Sequence, residues 1–111
     1  MLNPNRVFGA LVVLLFAVVI AGSASAEDRR VRIVNDTGYT LQEFYGSNVG
    51  SDSWEEDILG YDVIGPYSSL IIDFDDGSGY CLFDFKAVFS DGDVLIRKRV
   101  NVCEISSYTY R

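Results

Sequence analysis

The chain has 111 residues, a formal net charge of −7, two cysteines and no histidine. The acidic balance argues against nucleic acid and anionic lipid as partners. Without histidine the commonest general base and metal ligand is missing, and with it the Ser-His and Cys-His nucleophile systems.

Met1 to Arg6 is short and ends in a positive charge, Val7 to Gly22 is an unbroken apolar run of 16 residues, and Ser23-Ala24-Ser25-Ala26 supplies small residues in an A-x-A arrangement. That order predicts a secretory signal peptide over residues 1–26, cut between Ala26 and Glu27. The competing reading is an uncleaved anchor, for which the run falls short of the ~20 residues a spanning helix needs. No cysteine stands at the cut, which argues against a lipoprotein. The expected mature product, 27–111, is a single periplasmic or secreted domain with no membrane span. A domain of that size buries a modest core, so one covalent staple matters to it.

Glu27 to Arg30 is a charged lead. Val31 to Asn35 reads as a first strand, and Asn35-Asp36-Thr37-Gly38 as a turn. Tyr39 to Tyr45 is a second strand, rich in aromatic and β-branched residues. Gly46 to Ser53 is a loop. Ser53-Trp54-Glu55-Glu56-Asp57-Ile58-Leu59 fits one helical turn with a capping box from Ser53 to Glu56, with Trp54, Ile58 and Leu59 as inward anchors. Tyr61 to Ile64 is a short third strand ended by Gly65-Pro66. Ser69 to Asp75 is a fourth, with Leu70, Ile72 and Phe74 on one face. Asp76-Gly77-Ser78-Gly79 is a turn.

Tyr80 to Cys103 forms the centre of the pattern: two long alternating runs joined at Asp91-Gly92, a strong hairpin signal. A two-residue loop there sets Phe89 opposite Val94, Ala87 opposite Ile96, Phe85 opposite Lys98 and Phe83 opposite Val100. The other face then pairs Val88 with Leu95, Lys86 with Arg97 and Asp84 with Arg99. Glu104 to Tyr110 adds a last edge strand. The expectation is an all-β domain, a small antiparallel β-sandwich or barrel-like fold of about six to seven strands.

Export favours a Cys81–Cys103 disulfide over two buried thiols. Strict alternation puts Cys103 on the wrong parity, so a bulge or a strand end before it must bring the two together. The bond closes a loop of about 23 residues, for which chain entropy gives roughly 3 kcal/mol.

Thirteen carboxylates and one base, Lys86, lie between Asn35 and Asp93. Six of the other eight bases cluster at Arg29-Arg30-Val31-Arg32 and Arg97-Lys98-Arg99, as the solvated face of a strand or as a local anion patch. Asp73, Asp75, Asp76, Asp91 and Asp93 supply oxygen ligands for Ca²⁺ in one reading and ordinary turn chemistry in the other. A carboxylate pair for hydrolysis has no distinguishing spacing here. Nothing in the pattern calls for a cofactor. Aromatic residues fill the core in one reading, and in the other those around Trp54 make a partner patch.

The runs Val34-Asn35-Asp36-Thr37-Gly38-Tyr39, Ser53-Trp54-Glu55-Glu56-Asp57-Ile58-Leu59-Gly60 and Asp75-Asp76-Gly77-Ser78-Gly79-Tyr80-Cys81, with Asn101-Val102-Cys103, resemble a family of small exported bacterial all-β proteins of undefined activity. Some members of that family carry an automated argininosuccinate lyase label. Such lyases are large helical tetramers, and neither that length nor that helical pattern is present. The resemblance implies the fold and export and adds no catalytic residue.

Together these features describe an exported, monomeric, non-catalytic binding or structural module. Its expected surface is Trp54, Glu55, Glu56 and Tyr61, because irregular segments on rigid scaffolds carry recognition. The expected partner is another protein or a cell-envelope component. The alternatives are a Ca²⁺-dependent module on the Asp-rich turns and a small hydrolase with a carboxylate pair.

Overall fold

The computed structural model describes residues 27–111, so the expected signal peptide lies outside the described residues. Six strands form two three-stranded sheets stacked as a sandwich: β1 (Arg30–Asn35), β2 (Leu41–Asn48), β3 (Ser68–Asp73), β4 (Leu82–Phe89), β5 (Val94–Asn101) and β6 (Ser107–Tyr110). One sheet has the order β3-β1-β6 and the other β2-β4-β5. No helix among the described residues is long and apolar enough to cross a membrane.

Every strand pairing is antiparallel except β1 with β6, which is parallel, so one sheet is mixed rather than purely antiparallel. The cause is the crossing after β5. Residues 102–104 turn out of one sheet, and the chain enters the other on the free side of β1, with Arg32 N–H donating to Ser106 O at 2.9 Å and Asp36 N–H to Tyr110 O at 2.8 Å. The Cys81–Cys103 disulfide forms at this crossing, with the Cα atoms 5.3 Å apart. β5 ends at Asn101, and Cys103 sits in the turn with its N–H on Asn101 Oδ1 at 3.0 Å. The parity conflict is thus resolved by a strand end.

The core is aromatic. Phe74 stacks on Phe85 at 5.0 Å, Phe44 meets Phe85 edge-on at 5.1 Å, and Tyr108 of β6 meets it at 5.3 Å. These contacts join the two sheets, and each fully buried phenylalanine contributes about 1.5–3 kcal/mol. Ile72 and Phe74 are buried as expected, whereas Leu70 at the far end of that face is 40% exposed.

The central hairpin departs from the expected register. Val88 pairs with Val94, Ala87 with Leu95, Lys86 with Ile96 and Phe85 with Arg97, one residue out from the two-residue loop. The loop has three residues: Gly92 N–H donates to Phe89 O at 3.0 Å, Phe89 N–H to Asp93 O at 2.9 Å, and Gly92 alone has positive φ, +94°. A type I turn closed by a left-handed glycine needs one positive φ where the two-residue turn needs two, and Asp91 Oδ1 reinforces it by accepting from Asp93 N–H at 3.0 Å. The slip is corrected at Lys98-Arg99, where β5 carries an extra residue opposite Asp84 and Phe83 returns to Val100. Arg99 has φ 59°, and its N–H donates to Asp84 Oδ1 at 2.9 Å. A one-residue slip exchanges faces. Val94 and Ile96 therefore point outward rather than to the core.

The expected strand over Tyr61 to Ile64 shrinks to a single bridge, in which Leu41 and Ile64 exchange hydrogen bonds at 2.9 and 3.0 Å. Gly65-Pro66 stops it, because proline has no N–H to continue the ladder. Asn35, fully buried, holds this segment: its Nδ2 donates to the carbonyls of Tyr39 at 2.7 Å, Ile64 at 3.0 Å and Gly65 at 3.1 Å. Its Oδ1 accepts from Thr37 Oγ1 at 2.6 Å and Thr37 N–H at 3.2 Å. Asn35→Ala is expected to lower the unfolding free energy by about 3 kcal/mol, roughly 1 for each of the three carbonyls left without its donor. Urea unfolding measures it, and a loss well under 1 kcal/mol contradicts the role given to this side chain.

Candidate functional site

The long connection from β2 to β3 wraps the outer edge of β2. The expected helical turn and its capping box do not form. Glu55 has φ 64°, incompatible with a right-handed helix, and Ser53 N–H donates locally to Ser51 Oγ at 3.4 Å. Asp57 takes the capping role instead: its Oδ1 accepts from Leu59 N–H at 3.0 Å and from Phe44 N–H at 2.9 Å, while Ile58 N–H donates to Phe44 O at 2.8 Å. Asp57 thus supplies β2 with the acceptor a neighbouring strand would provide. Of the expected inward anchors only Leu59 reaches the core; Ile58 is 40% exposed, and Trp54 lies half-buried against the outer face of the sheet.

Trp54 borders two shallow cavities. The first, about 200 Å³, has Phe74, Phe83, Ile58 and Gly46 at its base and Glu55, Glu56, Asp73, Asp75 and Asp76 around it, with no basic side chain. A Cβ on Gly46 would lie 2.5 Å from Phe74 Cε1, so glycine is what lets that ring sit against β2. The second, about 230 Å³, is lined by Ser47, Ser51, Asp52, Ser53, Asp84 and Lys98.

Above the sheet the Lys86 ammonium lies 4.6 Å from the Tyr45 ring centre and 5.4 Å from that of Trp54, and Lys98 lies 5.5 Å from Trp54. These cation–π contacts hold the indole at the wall between the cavities. Lys98 also pairs with Asp84 at 3.1 Å.

The fold therefore joins two acidic groups that are separate in the sequence, Glu55-Glu56 and Asp73-Asp75-Asp76. It does not join them to Asp91 and Asp93, which sit at the hairpin tip beside Phe89, roughly 20 Å along β4 from Phe83. Tyr61 is fully exposed and lies outside both cavities.

The aspartates cap their own turns. Asp73 Oδ1 accepts from Asp75 N–H at 3.0 Å, Asp75 Oδ1 from Gly77 N–H at 3.2 Å, and Asp76 Oδ1 from Ser78 N–H at 3.0 Å. Asn48 Nδ2 donates to Asp76 Oδ2 at 2.9 Å, tying this turn to the end of β2. Among the described residues no group of three or more His, Cys, Asp or Glu side chains is arranged to hold a metal ion. Partial burial pushes the Asp76 carboxyl up, but the hydrogen bonds from Ser78 and Asn48 together outweigh it and hold the group below the usual range.

Arg29, part of the charged lead in the sequence, is structural. Its guanidinium donates to Tyr80 O at 2.8 Å and Gly79 O at 3.0 Å, and Phe74 N–H donates to Arg29 O at 3.0 Å. It fixes the turn that carries Asp75 and Asp76. Neither it nor Asp57 has a signal in the sequence, because both act on backbone that is distant along the chain. No protein-family model matches the chain, and neither a curated protein nor a solved structure is significantly similar to it.

Tyr45, whose ring lies beneath the Lys86 ammonium, is tied to a second residue of β2. Its hydroxyl donates to Glu43 Oε1 at 2.5 Å, and that bond, together with desolvation, pushes the phenol up to about 12. The fold favours the neutral phenol, so this contribution to stability is whole below the ordinary phenol value of about 10 and is lost as pH rises through about 12. Glu43→Gln is expected to return Tyr45 to near the ordinary value, read by an NMR titration of the ring. Ionisation of Tyr45 together with the exposed tyrosines in both proteins contradicts the assignment.

Proposed function

We propose that the protein is an exported, non-catalytic binding module that takes a cationic group of a partner into the cleft between Trp54–Glu56 and Asp73–Asp76. The observation that carries this reading is the composition of the cleft: five carboxylates around an aromatic base, with no base among the lining residues. A lysine or arginine side chain suits both parts, its stem lying on apolar rings and its charge among carboxylates. Glu55 supports a functional reason for its place, since a left-handed backbone costs a non-glycine residue about 1–2 kcal/mol.

The Cys81–Cys103 bond, the leader-like pattern of residues 1–26 and the resemblance to small exported bacterial proteins support export. Two features support binding rather than catalysis. The chain has no histidine, and Asp76 is held ionised, the opposite of what a general acid requires.

Trp54 is the one tryptophan of the chain, so its fluorescence reports the cleft directly. Titration with a short arginine-glycine peptide is expected to change it saturably, a glutamate-glycine peptide to leave it unchanged, and the Glu55→Gln, Glu56→Gln double variant to weaken binding roughly tenfold. Equal responses to both peptides contradict the reading. A raised melting temperature in millimolar calcium, with the arginine peptide displaced, replaces it with a metal-dependent one.

A further inference from the structure

The four outer edges of the two sheets are not equivalent. The β2 edge is covered: Asp57 and Ile58 take the Phe44 N–H and C=O, and Ile64 takes those of Leu41. β6 is a four-residue strand, and β3 is six residues long. β5 is eight residues long and pairs with β4 alone, and every residue from Val94 to Arg99 is exposed.

Three observations converge on this edge. Phe89 N–H bonds to Asp93 O, so antiparallel alternation turns the C=O of Asp93 and the N–H and C=O of Leu95 and Arg97 toward β4 and those of Val94, Ile96 and Lys98 away from it. No described residue accepts or donates there. Next, the slipped register makes the strand apolar on both faces at its open edge: Val94 and Ile96 outward, 52% and 54% exposed, and Leu95 inward, 43% exposed. Leu95 borders a cavity of about 340 Å³ shared with Tyr39, Phe89, Asp91, Asp93 and Arg111, so an uncharged side chain from an added strand has a pocket to enter, and the two carboxylates there keep the partner's acids to the Arg97 end. Finally, Arg97 and Arg99 pair with no carboxylate among the described residues, in a chain where acids outnumber bases sixteen to nine.

We propose that the β5 edge binds an extended segment of a partner protein by strand addition, and that the segment is acidic at one end and apolar along the rest. Main-chain hydrogen bonds to Val94, Ile96 and Lys98 give the affinity, and alternate side chains give the selectivity. In an antiparallel arrangement a carboxylate lies opposite Arg97, and an apolar residue opposite Leu95 enters the cavity. The basic run excludes a basic segment. The extra residue at Lys98-Arg99 breaks the ladder, so the edge accepts a short strand while resisting the long pairing that leads to aggregation. A second copy of β5 fits less well, because the registers that pair its outward-facing residues offer one carboxylate, Asp93, to the two arginines, where an acidic segment offers two.

The test uses the purified protein with two fluorescent six-residue probes, acetyl-Glu-Glu-Val-Ile-Val-Thr-amide and its counterpart with lysine in place of glutamate. The acidic probe is expected to bind roughly tenfold more tightly and to shift the amide resonances of Val94, Ile96 and Lys98. Ile96→Pro removes only an outward-facing N–H, which an edge strand tolerates, and is expected to abolish binding with a cooperative melt retained. Should that variant fail to fold, the Arg97→Glu, Arg99→Glu variant decides, since it is expected to prefer the lysine probe. Equal affinity for both probes, or amides of β5 that stay in place, overturns the proposal. A concentration-dependent dimer that the acidic probe does not dissolve and Ile96→Pro does overturns the partner in favour of a second copy.

Discussion

The carboxamide of Asn35 is the constraint on which the rest of this small sandwich depends. One end of it accepts from Thr37 and so shapes the turn from β1 into β2, and the other donates to Tyr39, Ile64 and Gly65. A buried amide is costly unless its bonding groups are matched, and here they are. Holding the Ile64 carbonyl at the end of β1 places Ile64 against Leu41, and that bridge starts the cover over the β2 edge. Asp57 continues the cover one strand-repeat further on by taking the Phe44 N–H. The long connection is therefore clamped at both ends, and the segment between Asn48 and Asp57 is left to carry Trp54 and its two glutamates on the surface.

That arrangement divides the molecule electrostatically. The division runs across the sheet: the acidic cleft lies on the β2 side of Phe83, and Arg97 and Arg99 stand on β5 at its other side. An acidic chain with a local basic strand presents opposite charges at separate places, which selects partners by sign as well as by shape. The two proposed surfaces differ in mechanism. The cleft takes a side chain, while the edge takes backbone.

Much of the fold is legible in the sequence because period-two alternation is a direct record of a half-buried strand. Phe83, Phe85, Ala87 and Phe89 are buried in turn as their spacing implies, and the disulfide expected between the two cysteines forms. The hairpin register is not legible. Asp91-Gly92 serves two turn types that differ by one residue, and the choice is balanced by Arg99 in a bulge seven residues away. The helix expected over residues 53–59 fails for a related reason: a capping pattern is a local preference, and the demand of the outward-facing Phe44 N–H on the β2 edge for an acceptor overrides it through Asp57. Of the surface expected from sequence, Trp54, Glu55 and Glu56 do line a cleft and Tyr61 does not. Asp73, Asp75 and Asp76 join that cleft through tertiary packing, across some twenty residues with no periodic link.

Closure of one sheet edge and exposure of the other underlies both proposed surfaces. Native-state hydrogen exchange measures it directly, amide by amide. The account predicts slow exchange at Phe44 and Ile64, approaching that of the core strands, and fast exchange at Val94 and Ile96 despite their place in a regular strand. Protection at Val94 and Ile96 in the isolated protein, or fast exchange at Phe44, would contradict it.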